Sequence, residues 1–540
     1  MEEKETTPCF SVKLKLRVDS AGRRVLARDF LFALQLRNAT LNTVLKRDRK
    51  MKQSAEWKEI CGLPKGPERN QRFQKIRKDY GLSSANDFEK ILKAHAEKSG
   101  RKKQLNSNLG QIIADDLYRS YVDWLFHKKG RPRFRGQTRG LRSLRGKSNA
   151  TGLIWKHKEK SLRYGKRLYK AVIDPKDRYV QEALADPKDP SKPRRVRYCC
   201  LVRKRIRGKE EFYAYLVMDG VPPTRTIPAP KEECMGIDPS LRTMTCVHSN
   251  GAVAKIDISA PEEDAKEMRR LQREMERSRR ASNPDNYNEN GTVKKGAHKW
   301  VRSKHYLALQ AKFADLKRRN VETRKNIHGR IIRILIGSAG TFQVEENNWK
   351  AFQRGRYGKS VLSGAPSEFI ERLRRTAESA GSKVILVNPR ELKHSQHDPK
   401  SGEFNKHELW ERRCRLGDTA FFIDRDVMAA LNLLHADVTA NTYDSEALAR
   451  ALQTSKQHWL DAGVVVELKT ANRTSEREQR RFLRRGLKSV SVERLHPHSF
   501  LRGVGPHSLA NGVIVSDACP EEASSDVDDG QERPPTSETL

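Results

Sequence analysis

Three acidic residues stand at positions suited to metal chemistry: Asp238 in "MGIDPS", Glu345 in "FQVEEN" and Asp426 in "IDRDVMAALNLL". The first two close apolar, strand-like runs, and the third opens a helix-like one. Carboxylates gathered in one place repel each other unless cations sit among them. Magnesium favours oxygen ligands and shares its shell with water and phosphate, so this trio suits phosphodiester hydrolysis with two Mg2+ ions. Each acid also has a plainer role. "GIDPS" alone is an ordinary strand-to-turn junction, and strand alternation does not choose between Glu345 and Glu346. Asp424 competes with Asp426, or serves only to cap the helix.

The surrounding elements decide whether the acids can meet. "ECMGID", "RTMTCVH" and "AVAKIDIS" are short runs separated by "PSL" and "SNG", which reads as an antiparallel meander. A charged helix follows, with Met268, Leu271 and Met275 on one side and Arg270, Arg273 and Arg277 on the other. A polar connection leads to a second helix bearing Tyr306, Leu309, Phe313 and Leu316, and helical periodicity resumes in "VETRKNIHGRIIRILIG". Then come a strand at "TFQVEEN", a helix around "APSEFIERLRRTAESAG", a strand at "KVILVNP" and the helix "DRDVMAALNLLHA". Residues 233 to 436 thus carry the ribonuclease H-like order of elements, in which the three acids converge on one side of a sheet.

The rest of the chain is rich in positive charge. Lys+Arg number 108 against 68 Asp+Glu, a formal net charge of +40 over 540 residues, which favours a polyanionic partner. Arg131, Arg133, Arg135, Arg139, Arg142 and Arg145 crowd a glycine-rich stretch that cannot bury itself and suits phosphate oxygens. Alternation at Val12, Leu14, Leu16 and Val18 predicts a first strand, and helical character then runs to about Trp124. Residues 150 to 222 read as β-rich, with a hairpin around "RGKEE". A small barrel split by a helical insertion is expected. No run is long and apolar enough to cross a bilayer, and "MEEKETTPCF" lacks the apolar core of a secretion signal. The eight cysteines show no repeated CxxC spacing, so neither a disulfide framework nor a cysteine-built zinc site is expected.

"MGIDPSLRTMTCV", "FQVEENNWKAF" and "IDRDVMAALNLL" resemble the three RuvC segments of the transposon-encoded nuclease TnpB and of compact type V CRISPR effectors. "GRPRFRG", "FYAYLVMDGVPP" and the stretch between the first two segments are also similar. Matching "VEENN" and "RDVMAAL" to the family pattern assigns Glu345 over Glu346 and Asp426 over Asp424. The resemblance implies an RNA-guided, magnesium-dependent DNA endonuclease. Its partners would be a guide RNA and target double-stranded DNA, with a short duplex motif read by the protein and the remainder by base pairing. An α+β multidomain architecture follows: a wedge β-barrel from residues 1–23 and 127–232, a helical recognition lobe at 24–126, and an RNase H-like RuvC domain at 233–436. A helical and basic extension at 437–515 and a disordered acidic tail at 516–540 complete it. The implied location is the prokaryotic cytoplasm, at the nucleoid when bound to DNA.

Two departures stand out. Many relatives place a four-cysteine zinc ribbon before the third segment, whereas residues 389–423 retain only Cys414, with His394, His397 and His407 nearby. No zinc is expected, and the histidines are expected at the surface. Met428 stands where the family has Asn, which removes a polar group beside the acids. Two other functions compete: guided DNA binding without cutting, and an unguided nuclease or general RNA-binding protein.

Overall fold

The computed structural model describes residues 8–137, 140–223, 232–296, 298–408, 410–467, 480 and 482–490. The chain divides into two compact units, Met1–Arg225 with Met268–Leu316, and Thr226–Glu267 with Lys317–Leu540.

The first unit opens with β1 (Cys9–Leu16), whose inward residues Val12, Leu14 and Leu16 are buried. Asp19 ends the strand's extension by capping α1 (Ser20–Gln53), its carboxylate accepting from the Gly22 amide at 2.7 Å. The helices α2 (Ala55–Gly62), α3 (Pro67–Asp79), α4 (Ala85–Lys98) and α5 (Ser107–Leu125) follow. Two carboxylates that α1 buries are answered by phenols: Tyr121 donates to Asp48 at 2.9 Å and Tyr164 to Asp29 at 3.1 Å.

The chain then forms β2 (Ser143–Arg145), β3 (Leu153–Lys156), β4 (Ser161–Tyr164), β5 (Arg167–Val172), α6 (Arg178–Leu184), β6 (Val196–Ile206) and β7 (Lys209–Asp219). The expected hairpin joins β6 and β7 through Arg207 and Gly208, both at positive φ (48° and 77°), the turn whose twist matches its strands. The seven strands make one antiparallel sheet in the order β2-β6-β7-β1-β5-β4-β3. Its two ends curl together at Asn149, whose side-chain oxygen accepts from the β3 amide of Trp155 at 2.7 Å and from the β6 thiol of Cys199 at 3.4 Å. The unit also holds part of α7 (Glu262–Ala281) and of α8 (Lys304–Ser338), where Leu271, Leu309 and Leu316 are buried with Met268, Met275 and Phe313 against them. One continuous helix, α8, replaces the two helical stretches read from sequence.

In the second unit β8 (Cys234–Pro239), β9 (Thr243–His248) and β10 (Val253–Asp257) form the expected meander. β11 (Thr341–Glu345) follows α8, then α9 (Trp349–Arg354), α10 (Gly358–Gly364), α11 (Pro366–Ser379) and β12 (Lys383–Val387). The sheet order is β10-β9-β8-β11-β12, with β11 parallel to both β8 and β12. Met235, Ile237, Met244, Cys246, Phe342 and Val344 point to one face, where Ile331 and Leu335 of α8 and Phe369 and Leu373 of α11 cover them.

Beyond α12 (Pro389–Leu392), the strands β13 (Arg413–Arg415) and β14 (Phe421–Asp424) lead into α13 (Arg425–Leu434). The pair β15 (Ala436–Asp437) and β16 (Thr442–Tyr443), then α14 (Ser445–Asp461) and β17 (Val465–Glu467), close the described order. On the second sheet face Val247 and Val253 share a core with Val427, Met428 and Leu431 of α13 and with Leu448 and Trp459 of α14. "GVVVEL", read as helical from sequence, instead contains β17, because three β-branched residues find a free edge on β14. The acidic tail at 516–540 lies outside the described residues.

At Gly236 the helix packs directly against the sheet backbone. A Cβ there would stand 1.9 Å from the Ala430 carbonyl oxygen and 2.6 Å from the Leu434 amide, both backbone atoms of α13. Gly236→Ala is therefore expected to cost about 3 kcal/mol or more, since the overlap has no flexible side chain to absorb it. Gly337→Ala, in α8 with nothing within 4 Å of the added carbon, should stabilise by roughly 0.5–1 kcal/mol. Denaturant unfolding of the two variants checks the contrast.

Candidate metal centre and nucleic-acid interface

Strand register builds the acidic site. Asp238 on β8 pairs with Thr245 on β9, and Thr245 pairs with Lys255 on β10. On the other side Val344 pairs with Ile237, which sets Glu345 beside Asp238 at the ends of two parallel strands. Glu345, Asp238, Thr245 and Lys255 thus form one row across four strands. Strand alternation turns this row away from the Met235–Ile237 core and toward α13. Glu346, one residue on, is exposed.

Asp238 and Glu345 share a side-chain hydrogen bond. Burial, then repulsion from Glu345 and Asp426, pushes the Asp238 carboxyl well above the usual range. Burial also raises Glu345, against the pull of its hydrogen bonds with Asp238 and Asn347.

α13 delivers the third acid. Asp424 is its N-cap, accepting from the amides of Asp426 at 3.0 Å and Val427 at 3.3 Å, and its other oxygen accepts from the Leu487 amide at 2.6 Å. That capping role occupies Asp424 and leaves Asp426 free to face the sheet. Burial would raise Asp426, yet the Lys255 ammonium at 2.5 Å, together with Arg412 at 3.7 Å and Arg425, holds it below its ordinary value. The structure therefore brings Asp238 and Glu345 into direct contact, while Asp426 stands near them engaged by Lys255.

The residue that joins the two acids is His394. One ligand atom from each of Asp238, Glu345 and His394 lies within 4.8 Å of the others. The expectation of surface histidines fails here: His394 is 1% exposed and His397 4%. The cause is Asn432 on α13, fully buried, whose amide donates to the carbonyls of His394 at 2.8 Å and His397 at 2.7 Å. His397 in turn stacks on Tyr443 with centroids 4.0 Å apart. His407 is half-buried beside Glu411, and Cys414 is buried in the α13–α14 core. Met428 lies in that same apolar core. Sequence reading missed Lys255 and Asn432; the alternation of "AVAKIDIS" carried a signal for the first, since Lys255 falls on the face opposite Ala254 and Ile256.

Arginines line two concave surfaces of the first unit. A groove of about 1200 Å³ is bordered by Arg133, Arg135, Arg142, Arg205 and Arg302, with the Phe134 ring exposed. Its basic loop is pinned to α1: Asn38 donates to the Arg135 carbonyl at 2.8 Å, and Arg37 to that of Arg133 at 3.3 Å. Burial and the Arg135 charge lower Arg37 to about 10. Arg270, Arg273, Arg277 and Arg280 line a second hollow of about 790 Å³. Arg131 lies over the Trp124 ring, and Arg145 pairs with the exposed Asp116 at 2.8 Å. Arg139 lies outside the described residues.

No protein-family model and no curated protein matches the sequence. Among solved structures the chain is similar to a Cas12f1–sgRNA–target DNA complex, at 12% identity and a TM-score of 0.41, over 79% of this chain and 98% of that one. It is similar to a CRISPR–Cas12f ternary complex at 14% identity and a TM-score of 0.26, over 79% and 99% of the two chains. A Cas12i–crRNA–dsDNA complex in its I1 state gives 10% identity and a TM-score of 0.26, over 77% and 67%.

A carboxyl that binds its proton more tightly when folded makes stability fall as pH rises from the ordinary Asp value of 3.8 through the raised one. Asp238→Asn removes this loss. In EDTA the variant should melt several degrees above the wild type at about pH 8 and level with it below pH 3.8, as read by thermal unfolding.

Proposed function

We propose that the chain is an RNA-guided DNA endonuclease that hydrolyses phosphodiester bonds with a divalent cation. On this reading the β8–β12 unit is an RNase H-like RuvC domain. The curled sheet and α1–α5 are a wedge barrel and recognition lobe that grip guide RNA and target DNA. One observation carries the reading: two half-buried carboxylates at adjacent parallel strand ends lie in direct contact, with Asp426 adding to their repulsion. Such a cluster is costly alone and gains from a cation. The donors fit one, since both acids offer oxygens and neither His394 nitrogen has a hydrogen-bond partner.

Asp238 and Glu345 would hold the cation, which supplies Lewis acidity toward a phosphate oxygen and its water. Arg412, half-exposed and 3.7 Å from Asp426, orients the scissile phosphate by charge-assisted hydrogen bonds. Lys255 keeps Asp426 ionised across the reaction. The grooves around Arg142 and Arg273 track nucleic-acid backbone, a contact that fixes register and leaves sequence to base pairing.

A second reading, guided binding without cutting, is favoured by the Lys255–Asp426 pair, because an ammonium at 2.5 Å occupies the carboxylate that a second cation would need.

Asp238→Ala should leave binding of guide and labelled target unchanged and lower cutting by about 10²-fold or more. Target that is shifted but uncut by the wild type would favour the second reading, and a random population of co-purifying RNA would count against guiding. Arg142→Ala should weaken binding alike for all sequences and reduce the slope of log affinity against log salt by about 1, measured by titration at several salt concentrations.

A further inference from the structure

We infer that His394 is a nitrogen ligand of this centre, and that the site therefore takes a first-row transition cation such as Mn2+ in preference to Mg2+. The inference rests on the metal-dependent reading above and refines its ion.

Three observations lead to it. First, the His394 ring is almost wholly buried, yet neither Nδ1 nor Nε2 has a hydrogen-bond partner. A neutral imidazole presents one donor and one acceptor, and buried polar atoms are nearly always satisfied. Second, the ring faces the acids: Nε2 is 3.5 Å from a Glu345 oxygen, without the geometry of a hydrogen bond. Third, the spacing suits coordination. Donors around a six-coordinate ion with bonds of about 2.1 Å stand roughly 3 Å apart at right angles and about 4.2 Å apart across the ion. The atoms of Asp238, Glu345 and His394 fall within 4.8 Å of one another, so small side-chain movements close them on one cation.

The ring is also held in place. Asn432 fixes the His394 and His397 carbonyls, His397 stacks on Tyr443, and the Tyr443 hydroxyl donates to the Leu392 carbonyl at 2.5 Å. A segment clamped at both ends presents its imidazole without further ordering cost, as ligands of built metal sites do. Magnesium prefers an all-oxygen shell, whereas a borderline cation gains from a neutral imidazole beside two carboxylates.

Pulsed electron paramagnetic resonance of the full chain loaded with Mn2+ tests this directly. The expected result is a coupling from one directly bonded ¹⁴N, which changes to ¹⁵N when histidine is isotopically labelled. His394→Asn, checked for intact folding by circular dichroism, should lose that coupling. It should weaken Mn2+ binding at least about tenfold while leaving Mg2+ affinity nearly unchanged. A wild-type spectrum with Mn2+ bound through oxygen alone overturns the inference and leaves the metal-dependent reading standing. Failure of the full chain to bind either ion overturns both.

Discussion

A Cβ on residue 236 would overlap the Ala430 carbonyl, and the absence of that one carbon sets the depth at which α13 meets β8. Two residues along an extended strand and four along a helix cover nearly the same length, about 6–7 Å. The contact between Gly236 and Ala430 therefore carries over to Asp238 and Asp426, two residues on along the strand and four back along the helix. A larger residue at 236 would lift the helix and separate the acids, whatever their own geometry. Packing on one side and electrostatics on the other are thus set by the same contact.

The electrostatics are unevenly resolved. Lys255 and Arg412 offset the charge of Asp426, whereas Asp238 and Glu345 face each other without a cationic side chain between them among the described residues. Sheet register and the packing of α13 hold the acids together against their mutual repulsion. The local charge imbalance also gives the centre two unlike halves. One consists of oxygen donors and an imidazole without partners; the other is an acid already paired with an ammonium.

Much of the fold was legible because its periodicities are strong. The meander of β8–β10, the hairpin around Arg207–Gly208 and the apolar stripe of α7 follow from alternation, turn residues and helical spacing. The segments bearing Asp238, Glu345 and Asp426 were legible for the same reason. What stayed hidden depended on contacts distant in sequence. Lys255 becomes part of the row only once two turn lengths fix the register through Thr245. His394 sits in a polar stretch that reads as surface, and its burial depends on Asn432, which lies one turn beyond Met428 on an apolar helix. The polar residue sought at 428 is missing there, but a buried amide on the same helix holds the neighbouring segment instead.

Because its amide grips the 394–397 backbone, Asn432 couples the histidine to α13, the helix that also bears Asp426. Side chains from two distant stretches of chain are thus tied to one helix, opposite the strand ends. A tilt or slide of that helix would carry the imidazole and Asp426 together, relative to Asp238 and Glu345 at the strand ends.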